Sequence, residues 1–220
     1  TGDLVRKCLV AMHHAIQTDA CLCWYSQERD DALRRRYRLA SDAGRGLAQH
    51  QFSLVYQPRF DLITGLPVSA EALLRWTHPM LGPVSPGEFI PVLERTALMP
   101  AISRWVIDHA LAQAAQWQKI VPGFSLSLNL SPRDFDDQRV WNVLSERLHA
   151  HGLVPGLIEI EITEGQWLNH HPAALPQLRE MAAAGIRIAI DDFGSGYSNF
   201  GYLSEVPISH IKIDQTLSLI

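Results

Sequence analysis

Apolar and polar positions along the chain change their spacing near residue 52. Before this point the spacing is helical in residues 4–16, a short apolar run covers residues 20–25, and residues 27–50 are charged and strongly helix-permissive. Beyond it, short runs typical of β-strands alternate with longer runs typical of amphipathic helices. The pattern therefore predicts a helical segment followed by an α/β domain.

Six β-type runs and four helical runs make up the pattern beyond residue 52. The β-type runs are 52–56, 68–74, 124–130, 157–162, 186–190 and 208–213. The helical runs are 88–94, 101–119, 140–151 and 172–184. Strict alternation of strand and helix is typical of a parallel α/β sheet or barrel, and we expect one here.

The composition and charge favour a folded domain over a membrane or DNA-binding protein. With 220 residues, 47% of them hydrophobic and 19% charged, the chain has the composition of a folded, soluble protein of one or two domains. No stretch of about 18 uninterrupted apolar residues is present, so we expect no membrane contact from this segment. The net charge of -4 leaves no general basic field for DNA. Four arginines in residues 34–38 allow an RNA-binding patch, but a solvated helical connector is the simpler interpretation.

The three cysteines point to a reducing compartment. Cys8, Cys21 and Cys23 form an odd, closely spaced set, which does not suit a disulfide framework. The C-x-C spacing also lacks the second pair of a zinc site. We therefore predict a cytoplasmic protein.

Polar residues cluster where the β-type runs finish. They are Glu71, Asn129, Glu159, Glu161, Glu164, Asp191, Asp192 and Lys212. Carboxylates inside a buried strand cost several kcal/mol unless they are paired or bound to a metal, and the C-terminal ends of parallel strands meet at one face. An oxygen-rich site for Mg²⁺ or Mn²⁺ is therefore expected there. Scattered caps and salt bridges would explain any one of these residues, but explain five consecutive strands poorly.

Seven short motifs occur in order between residues 52 and 214. They are YQP at 56–58, EALLRW at 71–76, PGEFIP at 86–91, NLSP at 129–132, EIEITE at 159–164, DDFGSGYS at 191–198 and KID at 212–214. Together they resemble the EAL domain, the cyclic-di-GMP phosphodiesterase family. The motifs follow the family order along most of the chain, which makes chance similarity a poor explanation.

The resemblance implies a TIM-like (β/α)8 barrel of the EAL type, of which this chain covers about the first six strands after a helical connector. Residues 1–26 resemble the last helix and strand of a GGDEF domain, although the GGDEF signature itself is absent. Residues 27–50 would be a helical linker and 51–220 the EAL domain without its last two strands. We expect a fragment of a longer chain rather than a naturally truncated domain.

The resemblance also implies roles for individual residues in hydrolysing cyclic-di-GMP to linear pGpG with two Mg²⁺ or Mn²⁺ ions. The implied metal ligands are Glu71, Asn129, Glu161, Asp191 and Asp192. The implied catalytic residues are Glu71, Lys212, which would help activate the attacking water, and Glu164, which would brace the loop 192–198. Gln57 and Arg75 would contact the dinucleotide. The same loop, Asp192 to Ser198, would contribute to a homodimer.

Some features leave alternatives open. The family's seventh-strand glutamate, a ligand of the second metal, cannot be assigned, so a catalytically inactive EAL domain acting as a cyclic-di-GMP receptor or regulatory module is the main alternative. Residues 215–217, Gln-Thr-Leu, stand where the family commonly has Arg-Ser-Phe. An aldolase-type barrel with Lys212 as a Schiff base is a weaker alternative. A kinase is disfavoured, because no Gly-rich loop precedes the DFG string.

Overall fold

The computed structural model describes residues 2–136, 139–163, 173–193 and 206–213. It begins with two helices, α1 (Gly2–Gln17) and α2 (Gln27–Ala48). The buried Asp30 carboxylate joins them, because it pairs with Arg6 of α1 and accepts a hydrogen bond from the Tyr25 hydroxyl at 3.0 Å. The strand expected in residues 20–25 is not formed, and no strand of the described chain pairs with them.

The described residues form a sheet of seven strands. The strands are β1 (Phe52–Phe60), β2 (Pro67–His78), β3 (Gly82–Val84), β4 (Ser125–Asn129), β5 (Ile158–Thr163), β6 (Arg187–Phe193) and β7 (His210–Ile213). They pair in the order β1-β2-β4-β5-β6-β7, and the short β3 pairs with β2. From β2 to β7 the pairs along this order are parallel, as predicted.

The prediction of strict alternation is wrong for the first two strands. β1 and β2 are antiparallel and are joined without a helix. The connection is a tight turn in which the Asp61 side chain accepts hydrogen bonds from the backbone N–H groups of Ile63 and Thr64, and Gly65 takes a positive φ of 68°. Such a turn can reverse the chain only into an antiparallel neighbour, because parallel strands need a long crossover.

Four further helices of the described residues lie where the helical runs predicted them. They are α3 (Pro86–Leu93), α4 (Met99–Gln118), α5 (Arg139–His151) and α6 (Ala174–Ala183). Two short 3-10 helices, Pro132–Phe135 and Pro155–Leu157, precede α5 and β5. No helix of the described residues is both long and apolar enough to cross a bilayer.

Two apolar clusters form the core. The larger one packs β4, β5 and β6 against α4, α5 and α6 through buried residues such as Leu128, Ile160 and Leu178. The smaller one joins α2, β1, β2 and α3 around Trp76, whose ring stacks on Phe52 at a centroid distance of 4.9 Å. Burial of these side chains is the main favourable term in folding.

Because successive strand residues point to opposite faces, one face of the sheet is apolar and the other polar. The apolar positions of β4 and β5 belong to the larger core cluster. The alternate positions carry polar side chains, and we call this side the polar face. Its members on β4 to β7 include Ser127, Asn129, Glu159, Glu161, Arg187, Asp191, His210 and Lys212.

The sheet is strongly curled. Four steps of about 4.8 Å would place β2 and β7 about 19 Å apart in a flat sheet. Nevertheless, Lys212 Nζ on β7 lies 3.0 Å from Glu71 Oε2 on β2. The two side chains could not meet across such a distance, so the polar face is concave, as in a barrel.

Candidate active site

Five neighbouring strands each contribute one side chain to a cluster on the concave polar face. Strand register places Glu71 beside Ser127, Asn129 beside Glu161, and Thr163 beside Asp191. Residues paired in this way lie on the same face, so these acids and the amide end up side by side. Lys212 comes from β7 and completes the cluster.

Three carboxylates form the centre of the cluster. Glu71, Glu161 and Asp191 each offer one oxygen, and these three oxygens lie within 4.8 Å of one another. We call them the carboxylate triad. Asn129 Nδ2 donates a hydrogen bond to Glu71 Oε1 at 2.8 Å. All of these residues were predicted as metal ligands, and the structure brings them together.

Lys212 lies against all three members of the triad. Its Nζ is 2.6 Å from Glu161 Oε2 and 3.0 Å from both Glu71 Oε2 and Asp191 Oδ2. Burial alone would lower the pKa of Lys212, but the hydrogen bond and charge of Glu161, together with those of Glu71 and Asp191, raise it well above its usual value. These contacts therefore favour the charged ammonium form of Lys212.

The positive charges around the triad compensate its negative charge only in part. Burial and the charge of Glu71 raise the pKa of Glu161, although Lys212 and Arg59 oppose this rise. For Glu71, burial acts in the same direction, but the hydrogen bonds from Asn129 and Lys212 outweigh it and lower the pKa. A small divalent cation would stabilise closely packed carboxylates of this kind, because it offsets their mutual repulsion. The hard oxygen donors fit Mg²⁺ or Mn²⁺.

A second set of contacts on the polar face was missed in the sequence. Arg59 of β1 bonds Glu159 Oε1 through Nη1 and Glu161 Oε1 through Nη2, both at 2.8 Å. Glu159 also accepts from Ser127 Oγ at 3.0 Å, and His210 Nδ1 lies 3.1 Å from its other oxygen. The β-type run 52–56 ended before Arg59. Its position two residues after Gln57 places it on the same face, and that spacing was the available signal.

Asp192 differs from Asp191 in its surroundings. It is exposed, has a positive φ of 52°, and its backbone N–H donates to Asp191 Oδ1 at 3.0 Å. Asp192 is not a member of the triad. The predicted bridging of a second metal by these two aspartates therefore stays a prediction.

The two predicted nucleotide-binding residues border the cluster. Gln57 is exposed and pairs across strands with Glu71, so their side chains are neighbours. Arg75 donates from Nη1 to the Leu74 carbonyl at 2.9 Å. It lines a cavity of about 250 Å³ that Asn129 and Glu161 also line. An open cavity next to the triad is compatible with a bound nucleotide.

Several predicted features lie outside the described residues. They are Glu164, residues 194–198 of the predicted dimer loop, Asp214 of the KID motif, and residues 215–217. Their predicted roles stay predictions.

Sequence comparison finds close relatives. Residues 40–218 match the family model described as the EAL domain. The cyclic di-GMP phosphodiesterase PA2567 of Pseudomonas aeruginosa is 39% identical over 195 residues, which is 88% of this chain and 33% of that protein. The bifunctional diguanylate cyclase/cyclic di-GMP phosphodiesterase MucR of the same organism is 34% identical over 218 residues, 97% of this chain and 31% of that protein. The chain thus spans about a third of each relative.

Comparison with solved structures also finds EAL proteins. A PaMucR phosphodiesterase in complex with c-di-GMP has a TM-score of 0.75 and 36% identity, covering 81% of this chain and 73% of that one. The EAL enzyme Bd1971, in a form with cAMP and cyclic-di-GMP bound, has a TM-score of 0.77 and 30% identity, covering 86% and 52%. These likenesses and the curled, mostly parallel sheet confirm the predicted TIM-like α/β fold. The chain belongs to the EAL domain family.

Proposed function

We propose that this chain catalyses the metal-dependent hydrolysis of cyclic-di-GMP to linear pGpG. The carboxylate triad in contact with Lys212 and Asn129 carries this proposal, because it combines a hard cation site with a fixed ammonium on a concave face. Membership of the EAL family and the phosphodiesterase names of the relatives support it. We place the activity in the cytoplasm, since all three cysteines are free thiols.

Metal binding is assigned to the triad and its neighbours. Glu71, Asn129, Glu161 and Asp191 would hold one Mg²⁺ or Mn²⁺ ion, and Asp191 with Asp192 would help to hold a second. Bound divalent ions supply an activated water and neutralise charge on the phosphoryl oxygens. Because the three carboxylates come from three different strands, the fold itself brings their charges together.

The remaining residues orient the water and the dinucleotide. Lys212 keeps its charge at neutral pH, so its N–H groups can hold the attacking water and offset charge that develops on the phosphate. The planar fork of Arg75 suits a phosphate, and Gln57 would contact the nucleotide beside Glu71. Glu164 would brace the loop that follows Asp192. Through the same loop we propose a homodimer.

A cyclic-di-GMP receptor without turnover is the second candidate. One observation favours it: among the described residues the acids close enough to share a metal ion form one group of three, and Asp192 is exposed outside it. A site that holds nucleotide with one ion would bind without assembling the two-ion clamp of phosphodiester hydrolysis.

Product analysis separates the two candidates. The purified protein is incubated with cyclic-di-GMP and Mg²⁺ or Mn²⁺, and the nucleotides are resolved by chromatography. We expect pGpG to accumulate, and we expect the size-matched variant Glu71→Gln to form none. Nucleotide binding by the wild-type protein without any pGpG would instead establish the receptor. A wild-type protein that neither binds cyclic-di-GMP nor forms pGpG would rule out both candidates.

A further inference from the structure

The Arg59 side chain spans the concave face from β1 to β5, although β2 and β4 lie between these strands. One terminal nitrogen bonds Glu159 and the other bonds Glu161, both at 2.8 Å. The side chains of these glutamates are 4% and 0% exposed. Two buried carboxylates are costly without a partner, and the arginine fork supplies one to both.

The two oxygens of the Glu161 carboxylate have different partners, Arg59 and Lys212. Oε1 accepts the hydrogen bond from Arg59 Nη2, whereas Oε2 lies 2.6 Å from Lys212 Nζ, which also contacts Glu71 and Asp191. With Oε1 held, rotation of the carboxylate out of the triad would break a charge-assisted hydrogen bond. Arg59 thus keeps Oε2 directed toward Lys212 Nζ, the atom around which Glu71 and Asp191 also gather.

Arg59 is itself held in place from several sides. Glu159, its other partner, accepts from Ser127 Oγ and lies 3.1 Å from His210 Nδ1. The Nε of Arg59 is buried and has no hydrogen-bond partner among the described residues, so the two glutamates determine its orientation. Both terminal nitrogens already bond carboxylates. We therefore assign Arg59 to these two glutamates, and the kinetic test below separates this role from direct binding of the substrate phosphate.

We propose that Arg59 is a positioning residue that orients the Glu161 carboxylate for the divalent cation. This inference rests on the proposed metal site, but it concerns cation affinity rather than turnover. Residues that hydrogen-bond a metal ligand commonly change metal affinity by about 10–100-fold when they are removed. Arg59 would act through Glu161 without touching the cation or the nucleotide.

The test compares Mn²⁺ affinity, measured by calorimetry without nucleotide, in Arg59→Gln, Arg59→Lys and wild-type protein. We expect the dissociation constant to rise about tenfold or more in Arg59→Gln. In Arg59→Lys we expect a smaller, several-fold rise, because one ammonium keeps the charge but cannot fork between two carboxylates. His210→Gln is the matched control, since it changes a partner of Glu159 and leaves both Arg59 hydrogen bonds in place; its Mn²⁺ affinity should change far less than that of Arg59→Gln. Circular dichroism verifies that each variant is folded. If Arg59→Gln does not fold, the Mn²⁺ affinity of Arg59→Lys tests the proposal.

Kinetics separates positioning from direct substrate contact. At saturating Mn²⁺, the Arg59 variants should recover most of the wild-type kcat, with little change in KM for cyclic-di-GMP. Unchanged Mn²⁺ affinity in folded variants would overturn the proposal, as would a raised KM with normal Mn²⁺ affinity. Wild-type protein that binds Mn²⁺ but forms no pGpG would refute the proposed hydrolysis while leaving the role of Arg59 standing. Absence of Mn²⁺ binding in the wild type would refute both.

Discussion

The charge and orientation of Lys212 depend on its carboxylate neighbours on the concave face. It is one of three lysines in the chain, and it alone lies in a β-type run. Its Nζ contacts three carboxylates that approach it from three other strands. The ammonium therefore stays charged and fixed in direction, as a group that holds a water molecule or a phosphate oxygen must be.

We predict that Lys212→Ala loses turnover but keeps nucleotide binding. Removing a group that assists proton transfer or water activation commonly costs about 10²–10⁴-fold in rate. Formation of pGpG and the dissociation constant for cyclic-di-GMP are measured on the same protein. Lys119→Ala is the matched control, because Lys119 is an exposed lysine at the end of α4. Turnover within tenfold of wild type in Lys212→Ala would remove this residue from the mechanism.

At the scale of elements, α2 contains two glycines in contrasting surroundings. Gly44 is exposed, and an added Cβ would meet nothing within 4 Å. Gly46 is buried, and a Cβ there would lie 3.1 Å from both Trp76 Nε1 and Gln51 Oε1. Gly46 thus lets α2 approach the smaller core cluster closely, whereas Gly44 has no such role.

Alanine at these two positions should change stability in opposite directions. Gly44→Ala should raise the free energy of unfolding by about 0.5–1 kcal/mol, because alanine favours helix. Gly46→Ala should lower it by about 1–3 kcal/mol, because the new methyl group presses on the packed ring of Trp76. Urea unfolding measures both, and each variant serves as the control for the other. Equal effects would contradict the proposed close packing of α2.

The 3-10 helix Pro132–Phe135 contains a buried carboxylate that titrates unusually. Asp134 accepts a hydrogen bond from the Ser131 backbone N–H at 2.8 Å and completes a capping box. Burial, with smaller contributions from the charges of Glu94 and Asp136, raises the pKa of Asp134 to about 6. The folded protein therefore favours the protonated acid between its unfolded pKa of 3.8 and a pH of about 6.

Stability should fall as this acid ionises. Because the folded-state pKa lies above the unfolded value, the contribution of Asp134 is present in full below pH 3.8 and is lost as the pH rises to about 6. Asn at this position cannot ionise and can still accept the Ser131 N–H. We predict that Asp134→Asn gains about 2–3 kcal/mol relative to wild type between pH 4 and pH 8, as followed by urea unfolding. A difference that does not vary with pH would contradict the raised pKa.

The elements were largely predictable because their signals are local. Helices α3 to α6 and the strands of the parallel part lie within a few residues of the predicted runs. The antiparallel pairing of β1 and β2 was missed, although Asp61 and Gly65 supplied a turn signal within the chain. Residues 57–60 were also left out of the first strand, and this omission concealed Arg59.

At the scale of the whole molecule, binding of a cation should stabilise the entire fold. The triad joins β2, β5 and β6, and Lys212 adds β7, so a ligand held there favours the folded state as a unit. A ligand at about 100 times its dissociation constant adds about 2.7 kcal/mol.

We therefore predict that saturating Mn²⁺ raises the Tm of the wild-type protein by roughly 5–10 °C. Glu71→Gln should lose most of this shift, since it removes one charge of the triad. Glu28→Gln is a suitable control, because Glu28 is an exposed acid in the first turn of α2. Differential scanning fluorimetry with EDTA as the reference measures the shift. The same Mn²⁺ shift in all three proteins would argue against a cation in the triad.

The amino-acid sequence by itself determined the succession of elements, the acids and amide at the strand ends, and the EAL motifs, because each of these depends on residues close together in the chain. Only the tertiary structure decided which side chains meet. Lys212 and Glu71 are 141 residues apart, and Arg59 and Glu161 are 102 apart. Their contacts depend on strand register and on the curl of the sheet, which arise from the packing of all the strands and helices together.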